Sequence, residues 1–163
     1  RYREYTAPAA GKPLLNRAIR GTYPPASPFK LATAAMALRR GLVTPTTYME
    51  QPCRGGFRFG NRVWRCWKRE GHGALDLIGA VAHSCDVYFS QLGLQLGLAG
   101  MLEDGIRMGF NDRSGIDLES EIRSIYPPST AYFDRLYGPR GWTSAVTLNL
   151  SIGQGRTRRA SST

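Results

Sequence analysis

Ser27 and Lys30 stand three residues apart at the start of an Ala- and Leu-rich stretch, Pro28 to Leu38. On a helix that spacing puts both side chains on one face. A hydroxyl at a helix N-terminus meets free backbone N–H groups and the positive end of the dipole, and both stabilise an oxyanion. A neutral amine within reach can take the hydroxyl proton, which leaves oxygen free to attack a carbonyl carbon. Burial beside the helix start favours the neutral amine. Lysine is scarce here, 3 residues against 19 arginines. Arginine does not give up its proton, so a base at this spacing has to be lysine. The bland reading makes Ser27 only an N-cap and Lys30 only a solvated first-turn residue, and a chance Ser-x-x-Lys is not rare.

A second group is Cys53-x12-Cys66-x5-His72-x12-Cys85, which holds all three cysteines and one of the two histidines. Three thiolates and an imidazole make a complete tetrahedral zinc set with no position left open for water. The segment between them is Gly-rich and loop-like, with little core of its own, so a metal staple would help it fold. The alternative is a Cys53–Cys66 disulfide with Cys85 free and buried, which an oxidising compartment would favour. His83 reads as a helix-end or core residue rather than a ligand.

The elements must position these groups. Tyr23-Pro24-Pro25-Ala26 blocks helix formation up to Ser27. Ser27 then reads as N-cap and Pro28 as N1 of a helix that stops at Gly41. The stretch 44–73 reads as irregular. Helical patterns follow at 74–83, 87–96 and 99–108, then a helix or turn at 130–136. Thr147 to Ile152 alternates with period two and reads as a strand ending at Gly153-Gln154-Gly155. Residues 156–163 are basic and small and read as an unstructured end.

The chain has 163 residues, 42% of them hydrophobic, which suits one domain or a large piece of one. Its net charge of +10 favours anionic partners. It does not begin with Met and has no apolar run of about 18 residues, so no membrane span or signal peptide is expected within it.

The run Asn16 to Lys30, NRAIRGTYPPASPFK, resembles the nucleophile region of class B penicillin-binding proteins, in particular their elongation-specific members. Ser84-Cys85-Asp86 is similar to their second motif, Ser-x-Asn/Asp. Ser114-Gly115-Ile116-Asp117-Leu118 and Leu148 to Gly155 match later landmarks in the right order. The resemblance covers about residues 13–155. It implies an α/β (α+β) transpeptidase fold, an antiparallel sheet flanked by a helical region. This chain would hold mainly the helices, with an exposed apolar face where the sheet packs. Residues 1–155 would be a partial transpeptidase domain, with 53–85 as a zinc-stapled insertion that includes the second motif.

The resemblance further implies roles. Ser27 would form an acyl-enzyme with the penultimate D-Ala of a peptidoglycan stem peptide ending in D-Ala-D-Ala. Lys30 would take its proton, Ser84 would relay a proton to the leaving amine, and Asp86 would hold the site. β-Lactams would acylate Ser27. Related proteins often carry Asp where Cys53 and Cys66 stand, and sulfur would bind zinc more tightly. The whole protein would sit on the outer face of the inner membrane, held by an N-terminal anchor, with a glycosyltransferase of cell-wall elongation as partner.

Ala26 stands where the family often has Gly. The family's third motif, Lys-Thr-Gly, does not follow Gly155, where Arg156-Thr157-Arg158-Arg159 stand instead. The isolated chain is therefore expected to be a weak or inactive catalyst, since each oxyanion donor is worth about 3–4 kcal/mol. A truncated or shifted reading frame would account for the basic tail. Other readings stay open: a D,D-carboxypeptidase or β-lactamase-like hydrolase, a β-lactam sensor, and, from the cation-aromatic run Trp64-Arg65-Cys66-Trp67-Lys68-Arg69, a zinc-containing nucleic-acid-binding module.

Overall fold

A computed structural model describes Glu4 and residues 15–154, apart from Thr22, Glu119, Ser120, Ser124 and Arg140. The basic end at 156–163 and Gly155 lie outside the described residues. The elements run α1 (Arg17–Arg20), α2 (Phe29–Arg39), β1 (Gly56–Phe59), β2 (Arg62–Arg65), α3 (Leu77–Ala82), α4 (Asp86–Arg107), α5 (Ala131–Tyr137) and α6 (Ala145–Ser151). The chain is thus mainly helical, as expected, with one small antiparallel hairpin among the described residues.

Helix α2 forms because its residues are strong helix formers and a Pro opens its first turn. It buries Phe29, Lys30, Thr33, Ala34, Met36 and Ala37, a stripe at helical spacing. That stripe packs on α4, the 22-residue axis of the molecule. The patterns at 87–96 and 99–108 join into this one element across a kink at Gly97, whose φ of 69° and ψ of 157° are not helical. Helix α6 lies along α4. The glycine at 93 allows this, because a Cβ there would collide with Ser151. Thr33 on α2 donates to the Ser151 carbonyl at 2.9 Å, so α2, α4 and α6 form one block.

Three expectations change. Residues 147–151 are helical rather than a strand, with Ile152 as C-cap: Thr147, Leu148, Ser151 and Ile152 are buried, which is helical spacing and not alternation. The stretch 44–73 contains the hairpin, in register Phe57↔Trp64 and Arg58↔Val63. Ser27 is not an N-cap: α2 starts after Pro28, without a side-chain cap.

At the far end of α2, Arg39 and Arg40 both hold the buried carboxylate of Asp104 on α4. No helix among the described residues is long and apolar enough to cross a membrane. An apolar groove of about 860 Å³ opens beside the start of α2, lined by Tyr23, Phe29, Phe110, Ile122, Tyr126 and Phe133 among others.

Candidate active site and metal centre

Two turns bring the reactive groups together, and each contains a residue in the left-handed region. Ala26 has φ of 53° and Ser84 φ of 50°, and they alone have positive φ among the described non-glycine residues. Such backbone costs about 1–2 kcal/mol per residue and collects at functional sites. Ala26 is held in place by Gly153: the Ala26 N–H donates to the Gly153 carbonyl at 3.0 Å. A Cβ on Gly153 would collide with the Ala26 carbonyl. The αL conformation explains physically why glycine suits position 26.

Ser27 is exposed, whereas Lys30 beneath it is only 3% exposed. The Lys30 Nζ lies 3.5 Å from Ser27 Oγ. It donates to the Ser84 carbonyl at 2.8 Å, to Ser84 Oγ at 2.9 Å and to Asp86 Oδ1 at 2.6 Å. A buried ammonium needs a counter-charge, and Asp86 supplies it. The Phe89 ring lies below, with its centroid 6.0 Å from Nζ. All four residues singled out in the sequence therefore meet at one amine. Asp86 opens α4, with Cys85 as N-cap, so the second motif is fixed to the start of the axial helix.

Trp67 was not singled out for this site, yet its N–H donates to the free Asp86 oxygen, Oδ2, at 3.2 Å. Its indole N–H donates to the His83 carbonyl at 3.1 Å. Its place beside Cys66 was the available signal. His83 itself closes α3 as C-cap and is exposed, so of the two readings it is the helix-end residue and not a core one.

The cysteine and histidine donors converge below the second motif. One ligand atom each from Cys53, Cys66, His72 and Cys85 lies within 4.8 Å of the others. His72 Nδ1 is 3.5 Å from Cys53 Sγ and 3.6 Å from Cys66 Sγ. A tetrahedral zinc with Zn–S of about 2.3 Å and Zn–N of about 2.0 Å sets sulfur and nitrogen about 3.5 Å apart. The donor set thus fits the metal in kind and spacing. The three cysteines are free and buried, and no disulfide joins them. Burial holds the His72 imidazole below its ordinary value, helped by Lys68. Burial pushes the Cys85 thiol up to about 12. Hairpin and loop pairings carry the ligands: Cys53 pairs with Gly73 across an isolated bridge, and the Cys66 N–H donates to the Gly55 carbonyl at 3.0 Å.

Residues 2–155 match the family model described as the penicillin-binding protein transpeptidase domain. The peptidoglycan D,D-transpeptidase MrdA of Acinetobacter baumannii is 35% identical over 145 residues, which is 88% of this chain and 21% of the relative. The chain therefore spans about a fifth of the length of such relatives. Among solved structures, Pseudomonas aeruginosa PBP2 in complex with WCK 5153 superposes with a TM-score of 0.83 at 33% identity, over 94% of this chain and 33% of that one. Helicobacter pylori PBP2, in complex with MreC, gives 0.84 at 29% identity, over 94% and 28%. A Ser-x-x-Lys turn, a second serine and an aspartate gathered on one buried amine, within a helical block of this likeness, identify the chain as a member of the penicillin-binding protein transpeptidase domain family.

Proposed function

We propose that the protein is a peptidoglycan D,D-transpeptidase of cell-wall elongation, acting through a serine acyl-enzyme. The observation that carries this reading is the Lys30 amine, which reaches Ser27 Oγ and Ser84 Oγ at once. With its amine neutral, Lys30 keeps N–H bonds to Asp86 and the Ser84 carbonyl and turns its lone pair to the Ser27 proton. Ser27 Oγ bonds to the carbonyl carbon of the penultimate D-Ala. The proton on Lys30 passes to Ser84 as the Ser84 proton goes to the departing D-Ala nitrogen, and the C–N bond breaks. An acceptor amine then attacks the ester, and the same groups run the proton path backwards. β-Lactams acylate Ser27 by the first half of this sequence. Asp86 keeps the amine in place, with its own second oxygen held by Trp67.

The test is product analysis of the whole protein with a pentapeptide ending in D-Ala-D-Ala and an amine acceptor. D-Ala release together with a cross-linked peptide is expected, and both are lost in Ser27→Ala. Release without the cross-linked product would make the protein a carboxypeptidase. Neither product would overturn the reading.

The reading places the whole protein at the outer face of the inner membrane, with a polymerising glycosyltransferase and an MreC-like scaffold as partners. The likeness to PBP2 in complex with MreC supports the scaffold.

We further infer that Cys53, Cys66, His72 and Cys85 hold a structural zinc ion. The ion would cross-link the hairpin to the second motif and would leave no coordination position for substrate. Elemental analysis should find one zinc per chain in native protein, lost in His72→Ala. A native protein free of metal, or one with a Cys53–Cys66 disulfide detected by mass, would contradict this.

A further inference from the structure

Residues 51–69 hold six of the chain's 22 lysines and arginines, with Glu50 and Glu70 at the two ends of the run. All six, Arg54, Arg58, Arg62, Arg65, Lys68 and Arg69, are exposed. The β1–β2 hairpin spaces them. Arg58 and Arg65 fall on the face opposite Phe57 and Trp64, because Arg58 pairs with Val63 and Gly56 with Arg65. Phe57 is buried and anchors the hairpin to the body. Arg62 lies over the Trp64 ring, its guanidinium 5.1 Å from the centroid, which holds that head in one place. Among the described residues, none of the six takes part in an ion pair at hydrogen-bonding range.

The second strand of the hairpin ends close to the site along the chain. Two residues beyond its second strand, the Trp67 N–H meets Asp86, the partner of Lys30. The segment that leaves the hairpin thus ties it to the residues around Lys30. Arginine forks match carboxylates in pairs, and an array of them holds a polyanion while each single contact stays weak. Peptidoglycan stem peptides carry free carboxylates along the strand. Holding one part of the strand raises the effective concentration of its other peptides at the site.

We propose that the β1–β2 hairpin is a docking surface for the carboxylates of a peptidoglycan strand, outside the acyl-transfer site itself. The proposal rests on the transpeptidase reading. It concerns how the polymer is held, whereas a soluble penicillin needs only the site. The test is co-sedimentation of the whole protein with purified peptidoglycan, before and after chemical amidation of its carboxylates, at low and raised salt. Parallel measurements follow penicillin acylation and retention on anionic phospholipid vesicles and single-stranded nucleic acid.

Arg58→Gln/Arg65→Gln should weaken peptidoglycan retention on the order of tenfold at low salt. It should leave penicillin acylation unchanged. Arg58→Lys/Arg65→Lys should retain binding. Amidated peptidoglycan should be held no better by the native protein than by the Gln variant. Wild-type retention by the Gln variant, full retention of amidated peptidoglycan, or stronger retention on vesicles or nucleic acid would each overturn the proposal. Loss of acylation in the native protein would instead count against the transpeptidase reading, and the co-sedimentation result would still stand or fall by itself.

Discussion

At the scale of the residue, the site depends on one amine with more partners than protons. Lys30 has three oxygens of the second motif within 3 Å and Ser27 Oγ at 3.5 Å. Arginine at position 30 would keep the charge that Asp86 needs but could not accept a proton. Lys30→Arg should therefore slow penicillin acylation about 10²–10⁴-fold, the usual worth of a general base. Its thermal midpoint should stay within a few degrees of the native value. Acylation at the native rate would remove Lys30 from the proton path. The sequence made this group legible, because Ser27, Lys30, Ser84 and Asp86 all belong to short motifs with chemical reasons for their spacing. It did not make Trp67 legible, because a backbone N–H contributes the contact and any residue type supplies one. Nor could spacing show that Ala26 and Ser84 adopt left-handed backbone, which only their surroundings impose.

At the scale of the element, the second motif is held where α3 turns into α4 and the loop before the hairpin packs beneath. Tyr88 on α4 secures that loop by donating to the Thr47 carbonyl at 2.7 Å. Burial, with Asp76 adding to it, raises the phenol to about 12. The folded state thus binds this proton more tightly than the unfolded chain, where the group titrates near 10. The resulting stability is complete below pH 10 and is lost as pH rises from 10 towards 12. Tyr88→Phe should be about 1 kcal/mol less stable at neutral pH, from the lost hydrogen bond. Its decline in that alkaline window should be shallower than the native one in denaturant titrations. An identical alkaline limb would show that Tyr88 does not titrate in the fold.

The elements themselves were unevenly legible. Helix α2 announced itself through composition and Pro28. The hairpin is weakly marked in the sequence, where Gly60-Asn61 between aromatic-rich runs is its one two-residue turn signal. Its arginines and glycines masked the strand pattern. The alternation at 147–152 misled because threonine and serine there are buried on a helix, donating to backbone carbonyls or packing against Gly93.

At the scale of the whole molecule, two packed features converge on one place. The α2, α4 and α6 block sets the serine–lysine turn, through Thr33, Gly93 and Gly153. The segment after the hairpin meets the second motif through the Trp67 N–H on Asp86, and Cys53, Cys66 and His72 gather around Cys85. The fold class was legible from ordered landmarks, since they fix a topology even where single elements are misread. Everything proposed for the site requires that Ser27 Oγ be the acylated atom. Mass spectrometry of peptides from penicillin-treated whole protein measures this directly. One adduct is expected, on the peptide containing Ser27, abolished by Ser27→Ala and unaffected by Arg58→Gln/Arg65→Gln. An adduct on any other serine, or one that persists in Ser27→Ala, would contradict it.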